Sequence, residues 1–459
     1  MNRIALLRLS CLLFVSSVGC IPEKRVIWSH DGKTAAISTH KGLRLAAADG
    51  QLLGARLDCT AARAAWFPDN RRLAIAYARE VKGWEQIAPI YSPQKIQDIA
   101  KAAQAAKERV LAYDGDWSRF KLDPDGGHSP GMNAAILFYL RDRLPDGLPE
   151  KLGDKWADFR EANATIWSLQ LFDVDADQLT PGKLLRQSLD EMWMPAVSPR
   201  GEAIAYLAKG GEAQGDAVGL YVISVRGGEP RLIHPNVAMG YDWSADGRSL
   251  VYLCGPTDGR TDSAVTLGSV STIEVAAENG SLLETFNKQE DHVGVLFSQL
   301  FNVRYLRDGR LMFSSVEFTL PATNRDMPQR WTLFVLDPRT PASVLRVLPR
   351  DFSEPMEMTS ALFQLSPDET RVLIPGSKGR LYLYDFATGQ THAIQTEDVN
   401  ERTQTVPAWR NNDEFTFVRP VKSADGKDGG QLTQWKAGAT RPLDNDWPEE
   451  AREGWLAPQ

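Results

Sequence analysis

The chain has 459 residues, of which 24% are charged and 9% aromatic, and its formal net charge is −7. That composition is globular rather than disordered, and the length allows one large all-β domain to bury a sizeable core. An acidic balance without any long Lys/Arg run excludes a nucleic-acid footprint.

The first twenty residues, MNRIALLRLSCLLFVSSVGC, set Arg3 and Arg8 around a short apolar stretch from Leu9 to Val15, then small residues before Cys20. This is the pattern of a secretory signal. The stretch is too short to span a bilayer core of about 30 Å, which needs about 20 apolar residues in a helix. Ser17-Val18-Gly19-Cys20 resembles the lipobox of bacterial lipoproteins, with Ser17 where Leu is usual. The resemblance implies removal of residues 1–19, lipidation of Cys20 and a mature chain, 20–459, held to a membrane through its N-terminal lipid. Ile21, where Asp would mark inner-membrane retention, leans towards the outer membrane.

Beyond the signal the sequence repeats itself. YDWSADG (241–247) has counterparts in VIWSHDG (26–32), AAWFPDN (64–70), PAVSPRG (195–201), VRYLRDG (303–309), FQLSPDE (363–369) and PAWRNND (407–413). The position four before the turn residue holds Trp28, Trp66, Val197, Trp243, Tyr305, Leu365 and Trp409, all large and apolar. After each turn comes a run such as RLAIAYA or SLVYLC, apolar on both faces, as in strands buried between two layers. A second hairpin then completes each unit, as in RLYLYDFATGQTHAI (380–394).

Four strands in each of seven units predict an all-β fold: a seven-bladed β-propeller with turns near 32, 70, 201, 247, 309, 369 and 413. Stacked blades cover each other's apolar faces, so the aromatic column reads as blade-to-blade packing and the Asp-Gly pairs as turns. The units resemble the "WSPDG...IAY" repeat of TolB-type periplasmic propellers and of the propeller domains of dipeptidyl peptidases and prolyl oligopeptidases. The best copies are VIWSHDGKTAAIS, AVSPRGEAIAYLA, YDWSADGRSLVYL and FQLSPDETRVLI; RNND in the seventh unit departs most. The resemblance implies the fold and leaves the function open.

The second and third repeats are unusually far apart, and the excess, residues 92–163, has helical periodicity. Ser92-Pro93 and Ser129-Pro130 are helix starts. Ile96, Ile99, Ala103, Ala106 and Val110 form one apolar stripe, Met132, Ile136, Leu140 and Leu144 a second, and Leu152, Trp156 and Phe159 a third. Three short amphipathic helices are expected to dock on the propeller for want of a core of their own. The insertion falls between the second and third strands of blade two. In such propellers these loops share one face with the blade-to-blade crossings, and the long loops at 255–268, 317–330 and 419–430 belong to that face too. That decorated face is the expected functional one.

The chemistry is less legible. A peptidase would need a separate hydrolase domain with a G-x-S-x-G elbow, and the repeats leave no room for it. His30, His40, His128, His234, His292 and His392 are scattered without metal-binding spacing. The run Asp173-Val174-Asp175-Ala176-Asp177 lacks the glycine and closing Glu of a calcium loop and reads as a hairpin turn. No metal and no cofactor is expected. Cys59 and Cys254, in units that should not be neighbours, are expected to be buried free thiols.

The expectation is a lipid-anchored extracytoplasmic propeller that binds an envelope protein or a glycan without catalysis. The alternative is a periplasmic hydrolase or lyase using carboxylates at the mouth of the propeller channel, since carboxylates brought together by different blades leave no spacing signature. Candidate contact residues are Trp84, Arg325, Asp326 and Arg330, which lie in long loops and belong mostly to types enriched at interface hot spots.

Overall fold

The computed structural model describes residues 25–443, apart from 40–41, 118–119, 124–126, 176–177, 210–217, 256–265, 287–288, 298–301, 317–330, 341–343, 350–361, 377–379, 396–405 and 423–427. Seven four-stranded antiparallel sheets follow one another along the chain, each built from consecutive strands in simple order. Blades 1 to 7 occupy 26–57, 61–188, 192–234, 237–297, 303–346, 364–395 and 408–442. First-to-second and third-to-fourth connections lie on one face, the turn face. Second-to-third connections and the crossings between blades lie on the opposite face.

Each junction between neighbouring blades is filled by its own apolar cluster. Between blades 3 and 4, for example, Trp193, Leu207 and Leu220 meet Tyr241, Trp243 and Tyr252. Between blades 5 and 6, Leu333 and Met312 meet Phe363 and Val372. The aromatic column thus packs between blades as expected, and it also does something periodicity does not reveal. Wherever the column residue is Trp, its indole N–H donates to the preceding blade. Trp66 Nε1 donates to Ile27 O at 2.9 Å, Trp243 to Ala196 O at 3.0 Å and Trp409 to Gln364 O at 2.9 Å. Val197 and Leu365 have no such donor. At the junction between blades 5 and 6, Asn302 Nδ2 donates to Phe363 O instead, at 2.7 Å.

The ring closes between blades 7 and 1 by packing, with no strand exchanged among the described residues. Val26, Trp28 and Ile37 share a cluster with Ala408, Val418 and Leu432. Trp28 Nε1 donates to Thr416 Oγ1 at 3.0 Å, and Arg410 Nε donates to Gly32 O at 2.8 Å. Gly32 has φ +67°, and a Cβ there would come within 2.7 Å of Arg410 O, so the seam needs glycine at this turn.

The Ser-x-Asp turns are self-contained. Ser244 Oγ donates to Asp246 Oδ1 at 2.6 Å, and that oxygen also accepts the Arg248 N–H at 3.0 Å; Ser29–Asp31 and Ser366–Asp368 repeat the pattern. Asp31, Asp69, Asp246, Asp308 and Asp368 all titrate below the ordinary carboxylate range. Partial burial opposes ionisation, but hydrogen bonds from serine hydroxyls, backbone N–H groups or an arginine outweigh it. The unfolded chain therefore binds more protons than the native one in acid. These groups support the fold fully at neutral pH, and their support is lost as pH falls below about 4. The urea midpoint is expected to fall over that window, and less steeply in Asp246→Asn; an unchanged acid slope would contradict this assignment.

Candidate binding face

In blade 2 the second strand (Arg72–Val81) and third strand (Ala164–Asp175) are long and paired as far as Val81 and Ala164. The helices rise from that neck: α1 (Trp84–Ile87), α2 (Pro93–Ala112), α3 (Pro130–Arg143), α4 (Leu148–Leu152) and α5 (Lys155–Glu161). Ser92 Oγ accepts from Lys95 N and Ser129 Oγ from Met132 N, each followed by proline, so both expected starts are N-caps. Helix formation begins at Trp84, before the expected 92.

The helices were expected to need the propeller for their core, and the structure corrects this. Ile87, Ile99, Ala103, Val110, Ile136, Phe138, Leu140, Leu148 and Phe159 bury one another, joined from the neck by Val81 and Ile166. Parallel stripes from α2 and α3, together with the short α4 and α5, supply enough apolar area for a separate core. This cap is fixed at two points. At the neck, the buried Arg141 donates from Nη1 to Arg160 O at 3.1 Å and Ala162 O at 2.8 Å, and from Nη2 to Lys82 O, spanning both strand exits. Its Nε donates to Asp142 Oδ1 at 2.6 Å, and Asp142 Oδ2 accepts the Trp84 N–H at 2.7 Å. Burial works against the Asp142 carboxylate, but these donors hold it below the usual range.

The second point is Asp190, in the crossing from blade 2 to blade 3. It accepts from Gly131 N at 2.8 Å and Ser129 Oγ at 3.2 Å at the start of α3. Burial pushes its carboxyl up despite these donors. A Cβ on Gly131 would come within 2.5 Å of Asp190 Oδ1, so glycine is what lets the two meet.

Beyond the end of α2 three half-buried rings gather. The Tyr113 and Trp117 centroids are 5.2 Å apart, Tyr113 and Phe120 5.0 Å, and Trp117 and Phe120 5.4 Å. Lys155 Nζ stands 5.8 Å from the Trp117 ring. Exposed Leu111 precedes them.

A second polar concentration lies between blades 3 and 4. Cys254 Sγ donates to Ser271 Oγ at 3.3 Å, Ser271 Oγ to Asp291 Oδ1 at 2.6 Å, and Gln289 Nε2 to Asp291 Oδ1 at 2.7 Å. Tyr252 OH donates to Gln289 Oε1 at 3.1 Å, and the His234 ring lies 5.8 Å from the Tyr252 ring. Burial raises the Cys254 thiol and lowers His234, while the Ser271 and Gln289 bonds lower Asp291. At neutral pH the set is therefore a protonated thiol, a neutral imidazole and an ionised carboxylate. The thiol gives its hydrogen to a serine, and His234 Nδ1 is engaged by the Asn236 backbone, 2.9 Å from its O. The network is closed within blade 4, and the Cys254 thiol is not activated by it.

Of the residues singled out in the sequence, Trp84 is 3% exposed. Its ring meets Tyr139 edge-on at 4.9 Å, so it is a packing residue of the cap and not a surface contact. Arg325, Asp326, Arg330 and Cys20 lie outside the described residues. Cys59 and Cys254 are free thiols, with Cys59 only half-buried; burial, then neighbouring Asp58, pushes its thiol up to about 11. Of the Asp173–Asp177 run, Asp173–Asp175 end the third strand, with Asp175 paired to Gln178 of the fourth; Ala176 and Asp177 lie outside the described residues. Among the described residues no helix is long and apolar enough to cross a membrane, and no three His, Cys, Asp or Glu side chains group as a metal site. The aromatic trio was missed in the sequence. Its one signal was Trp117, placed just past the Asp114-Gly115 helix stop where no apolar stripe accounts for it.

No protein-family model and no curated protein matches the chain. Solved structures similar to it are propellers. TolB from Acinetobacter baumannii is 17% identical with TM-score 0.40, over 60% of this chain and 59% of that one, less than two thirds of its length. The Cps50 (Swd1) β-propeller domain of Myceliophteria thermophila is 10% identical with TM-score 0.43, over 90% and 97%. Oligogalacturonate lyase from Vibrio parahaemolyticus is 11% identical with TM-score 0.38, over 86% and 73%.

Proposed function

We propose that this chain is an extracytoplasmic propeller, anchored through a lipid on Cys20, whose cap-bearing face is a non-catalytic binding and scaffold surface for an envelope protein or glycan. The support is the cap itself. A propeller blade needs only a short hairpin between its second and third strands, yet here a separately packed helical layer is attached at that point. It is held by Arg141 and Asp190, and it carries Tyr113, Trp117 and Phe120 at its margin, each partly buried. Rigid aromatic side chains beside charged ones are the usual energetic centre of a binding surface.

Val81 and Ala164 face each other across the neck, so residues 82–163 can be replaced by a short Gly-containing turn without disturbing the blade register. The shortened protein is expected to fold and to lose the partner that the full chain captures from solubilised envelopes after cross-linking. Full retention of that partner would remove the cap from the proposed function. Trp117→Ala is expected to weaken capture by at least tenfold, since truncating a hot-spot aromatic costs about 2 kcal/mol. Cys20→Ala is expected to move the protein from the membrane to the soluble fraction.

A further inference from the structure

We propose that the cap is a lid, hinged on the neck of blade 2 and latched by Asp190 over the junction of blades 2 and 3. The lid is a property of the fold beyond the binding role proposed above, and it holds whichever partner takes the face.

The hinge is visible in the strand register. The first strand of blade 2 flanks the second only as far as Ala61 opposite Ala78, and the fourth flanks the third only as far as Ser188 opposite Trp167. Beyond those levels residues 79–81 pair with 164–166, with no flanking strand among the described residues. The cap therefore stands on a two-stranded ribbon, while the rest of the blade is stiffened by four strands. Two-stranded ribbons twist more than wider sheets and are marginal by themselves. Because the cap has its own core, it can tilt on that ribbon without unfolding.

The crossing from blade 2 to blade 3 holds it down. Leu189 packs against the cap core. Asp190 Oδ1 accepts the Gly131 N–H at 2.8 Å, and Oδ2 accepts from Ser129 Oγ at 3.2 Å and from Ser188 Oγ at 3.4 Å. Gly131 is the second residue of α3, where a backbone N–H has no partner inside its own helix. The bond to Asp190 can therefore form and break without cost to the helix.

The latch also responds to protons. Arg186 of blade 2 acts on Asp190 through its charge, and Tyr91, which precedes α2, feels the charges of both. His128, ahead of α3, is turned to Asp123 at 3.4 Å, and Glu191 follows Asp190 in the crossing. Among the described residues no cationic side chain hydrogen-bonds to Asp190, and burial pushes its carboxyl up. Protonated, it keeps the Gly131 bond on Oδ1 and can give its hydrogen to a serine hydroxyl. Ionised, it leaves a charge largely out of water. The closed lid thus binds the proton more readily than the open one. The latch is fully set below about pH 4, the ordinary carboxylate value, and loosens as pH rises through the raised value.

The test uses the full chain with nitroxides attached to a ketone-bearing unnatural amino acid, which spares the native thiols. One replaces exposed Gln104 of the cap, and the other replaces Lys33 of blade 1 or Leu345 of blade 5, both exposed. Electron–electron resonance gives the two distance distributions. Asp190→Ala removes the acceptor. Gly131→Ala sets a Cβ 2.5 Å from Asp190 Oδ1 and 2.7 Å from its backbone N, which no side-chain rotation relieves. Both variants are expected to add a second distance population, while the amides of Ala103, Ala106 and Val110 in α2 keep their hydrogen-exchange protection. Distributions unchanged in both variants would overturn the lid. So would loss of the α2 protection, because the cap would then be melting rather than tilting. In the parent protein the second population is expected to grow between pH 4 and pH 8, and Asp190→Asn, which copies the protonated acid, should stay closed at both. Identical behaviour of these two proteins would overturn the proton dependence.

Discussion

Trp28→Ala is expected to lower the unfolding free energy by about 4 kcal/mol, the usual cost of truncating a buried aromatic side chain. Trp28 is buried among Val26, Ile37, Ala408 and Val418, where blade 1 meets blade 7. Its replacement opens a cavity at the one junction that joins the two ends of the repeat array. Trp28→Phe keeps most of the packing and loses the bond to Thr416 Oγ1, so it should cost less. In a double-mutant cycle with Thr416→Val the coupling should be about 1 kcal/mol, the net worth of one buried hydrogen bond. Urea unfolding of the four proteins measures this. A coupling near zero would mean that the indole N–H contributes nothing to closure.

The second large effect belongs to the neck of the cap. Arg141→Met keeps a long side chain on α3 but leaves the carbonyls of Lys82, Arg160 and Ala162 without their guanidinium. Removing a buried charged donor from acceptors that stay buried costs about 3 kcal/mol, and the partial exposure of Asp142 keeps the figure from being larger. The loss should be local. Amides of α2 and α3 are expected to lose about a hundredfold of their hydrogen-exchange protection, tenfold for each 1.4 kcal/mol, while the strands of blades 4 to 6 stay protected. Equal loss throughout would show that cap and propeller unfold as one unit, contrary to the separate core.

The fold was open to sequence reasoning because its determinants are local and repeated. A turn such as Ser244-Ala245-Asp246-Gly247 closes on its own hydroxyl, carboxylate and backbone, so each copy could be recognised without its neighbours. The two helix starts were legible for the same reason, because Ser92 and Ser129 cap their own first turns. What escaped was non-local. Nothing near Trp84 in the sequence says that Tyr139 will cover it, and nothing near Arg141 says that its guanidinium will bridge residues before α1 and after α5. Likewise the meeting of Cys254, Ser271, Gln289 and Asp291 depends on strand register across a blade, which periodicity alone does not fix. Trp84 looked like a loop aromatic because a four-residue helix leaves no periodic trace.

Closure without strand exchange also bears on how the ring can be assembled in time. Every blade is complete in a continuous stretch of chain, so blade 1 can finish as a sheet before any residue of blade 7 has been synthesised. Six of the seven junctions then form between sequence neighbours, at little loop-closure cost. Only the seventh junction, where Trp28 meets Thr416 from 388 positions away and Gly32 meets Arg410, must wait for the last blade. That final event is the docking of two finished sheets, and the array up to that moment is an open arc of already folded blades.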